Sequence, residues 1–90
     1  MTAKVTVILP APLRRLFDRC PSEVTVTAAS VDELLDELDR LWPGMRDRLA
    51  DSEPKIRRHI NVFVDGSRSF LQTRLTEGAE VYVMTAISGG

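Results

Sequence analysis

Residues that could take part in chemistry are few in this sequence of 90 residues, and they lie far apart. Cys20 is the single cysteine and His59 is the single histidine. Cys20 precedes Pro21 at a break in the pattern, where a half-buried small apolar residue is the simplest interpretation. His59 follows two arginines at the start of a strand pattern, which is typical of a solvated residue. These residues do not make a zinc site, and no nucleophile has a base beside it. We therefore predict no metal site, no catalytic residues and a protein that is not an enzyme.

The C-terminal end carries the strongest chemical signal. It reads Ile87-Ser88-Gly89-Gly90 and comes directly after a strand pattern. Two glycines, which lack Cβ atoms, make a tail that is narrow enough to thread a tight channel. Four extended residues reach about 13 Å at 3.3 Å per residue. The reactive group would be the α-carboxylate of Gly90, which is ionised at neutral pH and is a poor electrophile until it is activated. A plain terminus without function is the alternative interpretation.

The composition excludes several classes of protein. Twelve Lys and Arg residues against thirteen Asp and Glu residues give a net charge of −1, which lacks the positive field of a nucleic-acid or anionic-membrane binder. No apolar run approaches the roughly 18 residues of a membrane span, and the first residues do not resemble a signal peptide. A single cysteine excludes an internal disulfide. We expect a cytoplasmic protein with no nucleic-acid partner and no membrane partner.

Hydrophobic periodicity predicts the elements that would position this tail. Alternating β-branched residues are typical of strands. Ser30 and Glu33 form a capping box at the start of the main helix, and Pro43-Gly44 ends that helix. Short helical turns are expected around Leu13 and Leu49. The predicted strands span residues 4–9, 23–27, 60–64, 69–71 and 81–85.

The main helix is predicted to be amphipathic. Its apolar stripe has helical spacing and should fill the core, and its members are Leu34, Leu35, Leu38, Leu41 and Trp42. The opposite side is acidic and should be a solvated face near the positive end of the helix dipole, with Asp32, Glu33, Asp36, Glu37 and Asp39.

The order of elements predicts the fold class. One long helix can cover one face of a small mixed sheet, and the order strand, strand, helix, strand, short strand, strand fits that arrangement. We predict an α+β protein with the β-grasp (ubiquitin-like) fold, in which four to five strands pack on one main helix and the first and last strands lie side by side at the centre. Residues 1–86 should form a single domain and residues 87–90 a flexible tail.

Strand alternation also predicts an exposed apolar face. One set of side chains should face the helix: Val5, Val7, Ile60, Val62, Val64, Val81 and Val83. The other set, with Thr6 and Asn61 among it, should then face away, and its large apolar members are Ile8, Phe63, Tyr82 and Met84. Aromatic residues and methionine are enriched at interface cores, so we predict that these four form a partner interface. Scattered surface hydrophobic residues are the alternative.

Two segments resemble a known family. The ending Glu77-Gly78-Ala79-Glu80-Val81-Tyr82-Val83-Met84-Thr85-Ala86-Ile87-Ser88-Gly89-Gly90 resembles the last segment of the MoaD/ThiS sulfur-carrier family, and Asn61-Val62-Phe63-Val64-Asp65-Gly66 resembles a strand and turn of that family. The resemblance covers nearly the whole chain. The chain resembles the MoaD-related carriers of cysteine and thio-natural-product pathways more than it resembles the shorter thiamin carriers. Thr85 and Ala86 stand where the family has two prolines.

The resemblance implies a function. Gly90 would be adenylated by a ubiquitin-activating-type enzyme, which uses ATP, and then converted to a thiocarboxylate, with Gly89, Ser88 and Ile87 as the threading tail. The sulfur would go to a biosynthetic enzyme of the cysteine, thio-natural-product or molybdopterin type, and no cofactor would be bound permanently. A ubiquitin-like modifier that forms isopeptide bonds, the small subunit of a molybdopterin synthase and a plain β-grasp binding module are the alternatives.

Overall fold

Five strands and three short or medium helices make up the part of the chain that the computed structural model describes, which is residues 2–50, 56 and 59–85. The strands are β1 (Ala3–Ile8), β2 (Glu23–Ala28), β3 (Ile60–Val64), β4 (Ser67–Arg68) and β5 (Glu80–Thr85). The helices are α1 (Ala11–Arg14), α2 (Val31–Leu41) and α3 (Met45–Leu49). None of these helices has the length and apolar character needed to cross a membrane.

The strands form one mixed sheet in the order β2-β1-β5-β3-β4. β1 and β5 pair in parallel, with Val7 opposite Val81, and the other neighbouring strands pair antiparallel. The first and last strands therefore lie side by side, and α2 packs on one face of the sheet. This arrangement is the α+β, ubiquitin-like β-grasp fold that the element order predicts.

The start of α2 matches the predicted capping box. The Ser30 hydroxyl accepts a hydrogen bond from the Glu33 amide at 3.3 Å. The Glu33 carboxylate accepts one from the Ala29 amide at 3.3 Å, so it reaches the residue before the cap. The first two helix amides, of Val31 and Asp32, donate to carbonyl oxygens of the loop that follows β4. The first amides of α2 are thus satisfied by the protein itself.

The apolar stripe of α2 fills the core, with one correction. Leu34, Leu35 and Leu38 are fully buried, and Trp42 is partly buried against the same cluster. Leu41 has the predicted spacing but is 40% exposed. It is the last residue of α2 and lies beside the edge strand β2, where no neighbouring strand covers it.

The acidic side of α2 is only partly the solvated face that the sequence predicts, because it binds α3. The Arg46 guanidinium donates to the Asp32 carboxylate at 2.6 Å and to the Asp36 carboxylate at 3.0 Å. The pKa of Arg46 is raised above its ordinary value, and the hydrogen bond to the Asp32 carboxylate is the largest cause. The Asp39 carboxylate accepts from the amides of Gly44 and Arg46, so it caps α3.

The prediction of a short strand at residues 69–71 is wrong in position, because the strand lies two residues earlier, at Ser67–Arg68. Asp65 and Gly66 both have positive φ, which makes a tight two-residue turn that matches the strand twist. The turn returns the chain at once, so β4 forms at Ser67–Arg68, with Arg68 opposite Phe63. Ser69 then leaves the strand, and both its amide and its hydroxyl donate to the Val62 carbonyl oxygen at 2.8 Å.

We expect Leu38→Ala to lower the free energy of unfolding by about 2–5 kcal/mol, because it leaves a cavity at a fully buried site. Leu41→Ala is the matched control from the same helix, and we expect it to cost less than about 1 kcal/mol because Leu41 is partly exposed. Urea unfolding followed by circular dichroism measures both. Equal losses in the two variants would contradict the assignment of the buried stripe.

Candidate functional site

The sheet face that α2 does not cover presents an apolar patch, which we call the open face. Its members are the four residues that the alternation predicts to point outward: Ile8, Phe63, Tyr82 and Met84. Tyr82 and Met84 are 41% and 51% exposed, while Ile8 and Phe63 are half-buried. The structure thus brings the predicted residues together on adjacent strands. Their role as a partner interface stays a prediction.

Pairing register gives the open face a regular layout. Tyr82 lies opposite Ile8 on one side and opposite Phe63 on the other, and directly opposite side chains are neighbours in a sheet. Glu23 of β2 pairs with Ile8, and Arg68 of β4 pairs with Phe63. One row therefore crosses all five strands over about 19 Å, with an apolar centre and a charge of opposite sign at each edge.

A groove continues the open face toward the end of β5. It has a volume of about 330 Å³, and its lining includes Pro10, Pro12 and Thr85 beside Ile8, Tyr82 and Met84. Pro10 and Pro12 follow β1, and neither has an amide that could extend the strand ladder. Their place in the groove follows from the parallel pairing of β1 with β5, which brings the ends of both strands to the same edge.

The predicted tail follows this groove in sequence. Ile87, Ser88, Gly89 and Gly90 lie outside the described residues, as does the predicted domain boundary at residue 86. Thr85 is the last described residue, and Gly90 is five positions further on. Five residues span at most about 18 Å, which is the reach from Thr85 to the predicted reactive carboxylate of Gly90. A protein that binds this carboxylate must therefore come close to the groove and the open face.

The other candidate residues have ordinary surroundings. His59 is exposed at the start of β3, and Cys20 is half-buried. Burial raises the pKa of the Cys20 thiol, although the Arg14 guanidinium acts in the opposite direction, so the thiol is protonated at neutral pH and is a poor nucleophile. Among the described residues, no group of three or more His, Cys, Asp or Glu side chains could hold a metal ion.

The N-terminus of α2 is not an anion site. A concave region there is lined by Ser30, Asp32, Glu33 and Arg74, among others. Helix N-termini bind anions through free amides, but the first amides here donate to Thr73, Leu71 and Ser30 oxygens. Two carboxylates in the lining add negative charge. This region therefore does not supply a phosphate-binding function.

A mixed sheet with its first and last strands paired in parallel, one main helix on one face and an open apolar face on the other defines a ubiquitin-like β-grasp protein. Within that class, the chain belongs to the ThiS family, whose family model matches residues 7–90. The family that the C-terminal segment suggests is thereby confirmed, and the chain is a member of the ubiquitin-like sulfur-carrier group.

Solved structures of similar proteins agree with this assignment. A chain of the Amycolatopsis orientalis BexX/CysO complex is 28% identical with a TM-score of 0.85, and the alignment covers 96% of this chain and 99% of that chain. Mycobacterium tuberculosis CysO, an antigen, is 25% identical with a TM-score of 0.84, covering 92% and 99%. SAMP1 from Haloferax volcanii is 25% identical with a TM-score of 0.82, covering 98% and 100%. The comparison with curated proteins gave no match.

We expect Phe63→Ala to cost the fold less than Val62→Ala, although it removes more atoms. Val62 is fully buried under α2, so its truncation leaves a cavity, whereas Phe63 lies half-buried on the open face. Thermal unfolding of both variants at one pH measures the difference. A larger loss for Phe63→Ala would mean that the strand is shifted by one residue, with its valines turned outward.

Proposed function

We propose that this protein is a sulfur carrier whose C-terminal Gly90 is activated by a partner enzyme and then holds the sulfur as a thiocarboxylate. The observation that supports this most directly is the parallel pairing of β1 with β5. It brings Thr85 beside the apolar groove and the open face, five residues before Gly90. An enzyme can therefore hold the fold through a large surface while the narrow tail enters its active site.

The chemistry belongs to the tail and to the partner. A carboxylate oxygen of Gly90 attacks the α-phosphorus of ATP in the active site of a ubiquitin-activating-type enzyme, and pyrophosphate leaves. A hydrosulfide ion then attacks the acyl carbon, the bond from that carbon to AMP breaks, one proton is released and a thiocarboxylate remains. The carrier supplies no catalytic side chain in this scheme, so it acts as a substrate and not as an enzyme. ATP is bound by the partner.

The partners divide into two kinds. The activating enzyme must recognise the open face and the tail together, and a biosynthetic enzyme must accept the sulfur. Complex formation by a similar protein supports protein partners, since the Amycolatopsis orientalis structure is that of a BexX/CysO complex. We propose a sulfur acceptor of the cysteine, thio-natural-product or molybdopterin type, as the family resemblance implies. A cytoplasmic location fits such partners.

A second candidate function is protein modification. Its support is the similarity to SAMP1 from Haloferax volcanii. The name SAMP1 stands for small archaeal modifier protein 1. In this case the activated Gly90 would form an isopeptide bond with a lysine of another protein. Covalent conjugates, detected by mass spectrometry after expression of a tagged chain, would favour this function over sulfur transfer.

Deletion of Gly90 tests the proposed function. We expect the shortened chain to keep the melting temperature of the full chain, because residues past the last strand bury little, and to lose ATP–pyrophosphate exchange with a ubiquitin-activating-type enzyme from the same organism. A chain with one alanine added after Gly90 should fail equally, because the reacting group must be the C-terminal carboxylate. If the shortened chain still gains sulfur, as measured by intact mass, the carrier function is wrong.

Phe63→Ala tests the open face as the surface that the activating enzyme binds. Loss of an aromatic side chain from the centre of an interface costs about 2 kcal/mol or more, which is about thirtyfold in affinity. Phe70→Ala is the matched control, because Phe70 is 61% exposed but lies in the loop after β4. Calorimetric titration of each folded variant into the enzyme gives the affinities. Equal affinities for Phe63→Ala and the unchanged protein would exclude this surface.

A further inference from the structure

The two edges of the sheet differ in how they are protected. Natural edge strands are kept from pairing with other chains by short length, proline, lysine or bulges. β4 is one edge and has two residues. β2 is the other edge and has six residues, without proline or lysine, and it pairs one to one with β1 from Ala3 opposite Ala28 to Ile8 opposite Glu23. β2 is therefore a long, regular and unprotected edge.

The hydrogen-bonding groups on this edge can be assigned from the ladder. The Leu9 amide donates to the Ser22 carbonyl oxygen at 2.8 Å. Because groups alternate along an antiparallel pair, the main-chain groups of the even-numbered residues of β2 point to β1. Those of the odd-numbered residues, Glu23, Thr25 and Thr27, point away from the sheet. No described residue forms a hydrogen bond with these outward-facing main-chain groups. They recur at every second residue, which is the spacing at which an added strand would bond.

A groove lies between this edge and α2. It has a volume of about 290 Å³ and is lined by Thr25, Val26, Thr27, Glu37, Arg40 and Leu41. Leu41 is the residue of the apolar stripe that the core does not cover. In a strand added to β2, every second side chain would point to the α2 side of the sheet, above this groove. Aliphatic side chains at those positions would cover Leu41.

Charge at the two ends of the edge points to the kind of segment that would bind. Glu23 begins β2 and is exposed, and the exposed carboxylate of Glu33 lies against the Ala29 amide just beyond the end of β2. Neither forms an ion pair with a described residue. The nearby Arg40 is already bound to Glu37 through Nε and Nη2. Each end of the edge thus carries a carboxylate that has no ion-pair partner among the described residues.

These charges disfavour a second copy of the chain as the occupant. Antiparallel pairing of β2 with itself would bring Glu23 of each copy to the Glu33 end of the other, so like charges would meet at both ends. A six-residue edge is about 20 Å long, and a strand contact of that length covers much less than the ~800 Å² per partner of a stable interface.

We propose that β2 binds an extended segment of a partner protein, which adds to the sheet as a sixth strand. Main-chain hydrogen bonds to Glu23, Thr25 and Thr27 would hold the segment, as in other cases of strand addition. Its side chains on the α2 side are aliphatic and pack on Leu41. Lysine or arginine residues at its two ends face the carboxylates of Glu23 and Glu33. This edge adjoins the open face at Glu23, but it includes none of the four apolar residues of that face and does not involve the tail.

A synthetic peptide tests this proposal. The test peptide is Lys-Val-Thr-Val-Thr-Val-Lys with blocked ends. One control peptide has glutamate in place of both lysines. The other has proline in place of the central valine and of the threonine before it, because one of two consecutive amides faces β2 in either strand direction. Each is titrated into the full ¹⁵N-labelled chain while amide chemical shifts and hydrogen exchange are recorded. We expect saturable shifts and slower exchange at Thr25 and Thr27 with the test peptide. The glutamate peptide should bind at least about fivefold more weakly, and the proline peptide should not bind.

Variants of the protein locate the site. Thr25→Pro removes an amide that faces solvent and not β1, so the hydrogen bonds between β1 and β2 are kept. We expect the affinity for the test peptide to fall at least about tenfold. Leu41→Asp should lower it about fivefold or more. Leu16→Asp is the matched control, because Leu16 is 53% exposed but lies after α1, and it should leave the affinity unchanged.

Three results would overturn the proposal. One is the absence of shifts at Thr25 and Thr27 with the test peptide. Another is an equal affinity of Leu41→Asp and of the unchanged protein for the test peptide. This variant changes a side chain only and leaves the main-chain groups of β2 in place. The third is slower exchange at Thr25 and Thr27 at higher protein concentration without peptide, which would make a second copy of the chain the occupant. Each result is independent of whether Gly90 accepts sulfur.

Discussion

The parallel pairing of β1 with β5 is the interaction on which the rest of the fold depends. Val7 and Val81 face each other across it and are fully buried. β5 also pairs with β3 along its other side, so this strand joins the β1–β2 pair to the β3–β4 pair. Without β5 the sheet would separate into two two-stranded ribbons, β1 with β2 and β3 with β4, which are marginally stable alone in water. The same pairing directs the end of β5 to the edge where β1 also ends.

In the proposed function, recognition and reaction belong to different parts of the chain. Several charged side chains of the described domain serve structure: Arg46 and Asp39 fasten α3 to α2, and Glu33 helps to cap α2. Its large exposed apolar side chains include Tyr82 and Met84 on the open face and Leu41 beside β2, while Leu16 and Phe70 lie elsewhere. A carrier in which the fold offers surfaces and the tail offers a carboxylate can be recognised by more than one enzyme while the reactive atom stays the same.

Local patterns in the sequence predict the sheet and the open face well, because a period of two is an intrinsic property of a strand. Alternating valines show which side of β3 and β5 is buried, and Phe63 and Tyr82 then lie on the other side. Features that depend on distant segments could not be predicted in this way. Leu41 is exposed because of the position of β2, Asp32 is bound by Arg46 of another helix, and the groove beside Pro10 and Pro12 exists because two strand ends meet.

The central position of β5 also affects how the protein is made. Synthesis on the ribosome proceeds from the N-terminus, and domains generally fold as complete units. Thr6 and Glu80 are paired although nearly the whole chain lies between them, so the sheet cannot close until Thr85 has been translated and released. A nascent or prematurely terminated chain therefore has no folded core and is open to proteases. Only chains translated through β5 reach the folded state.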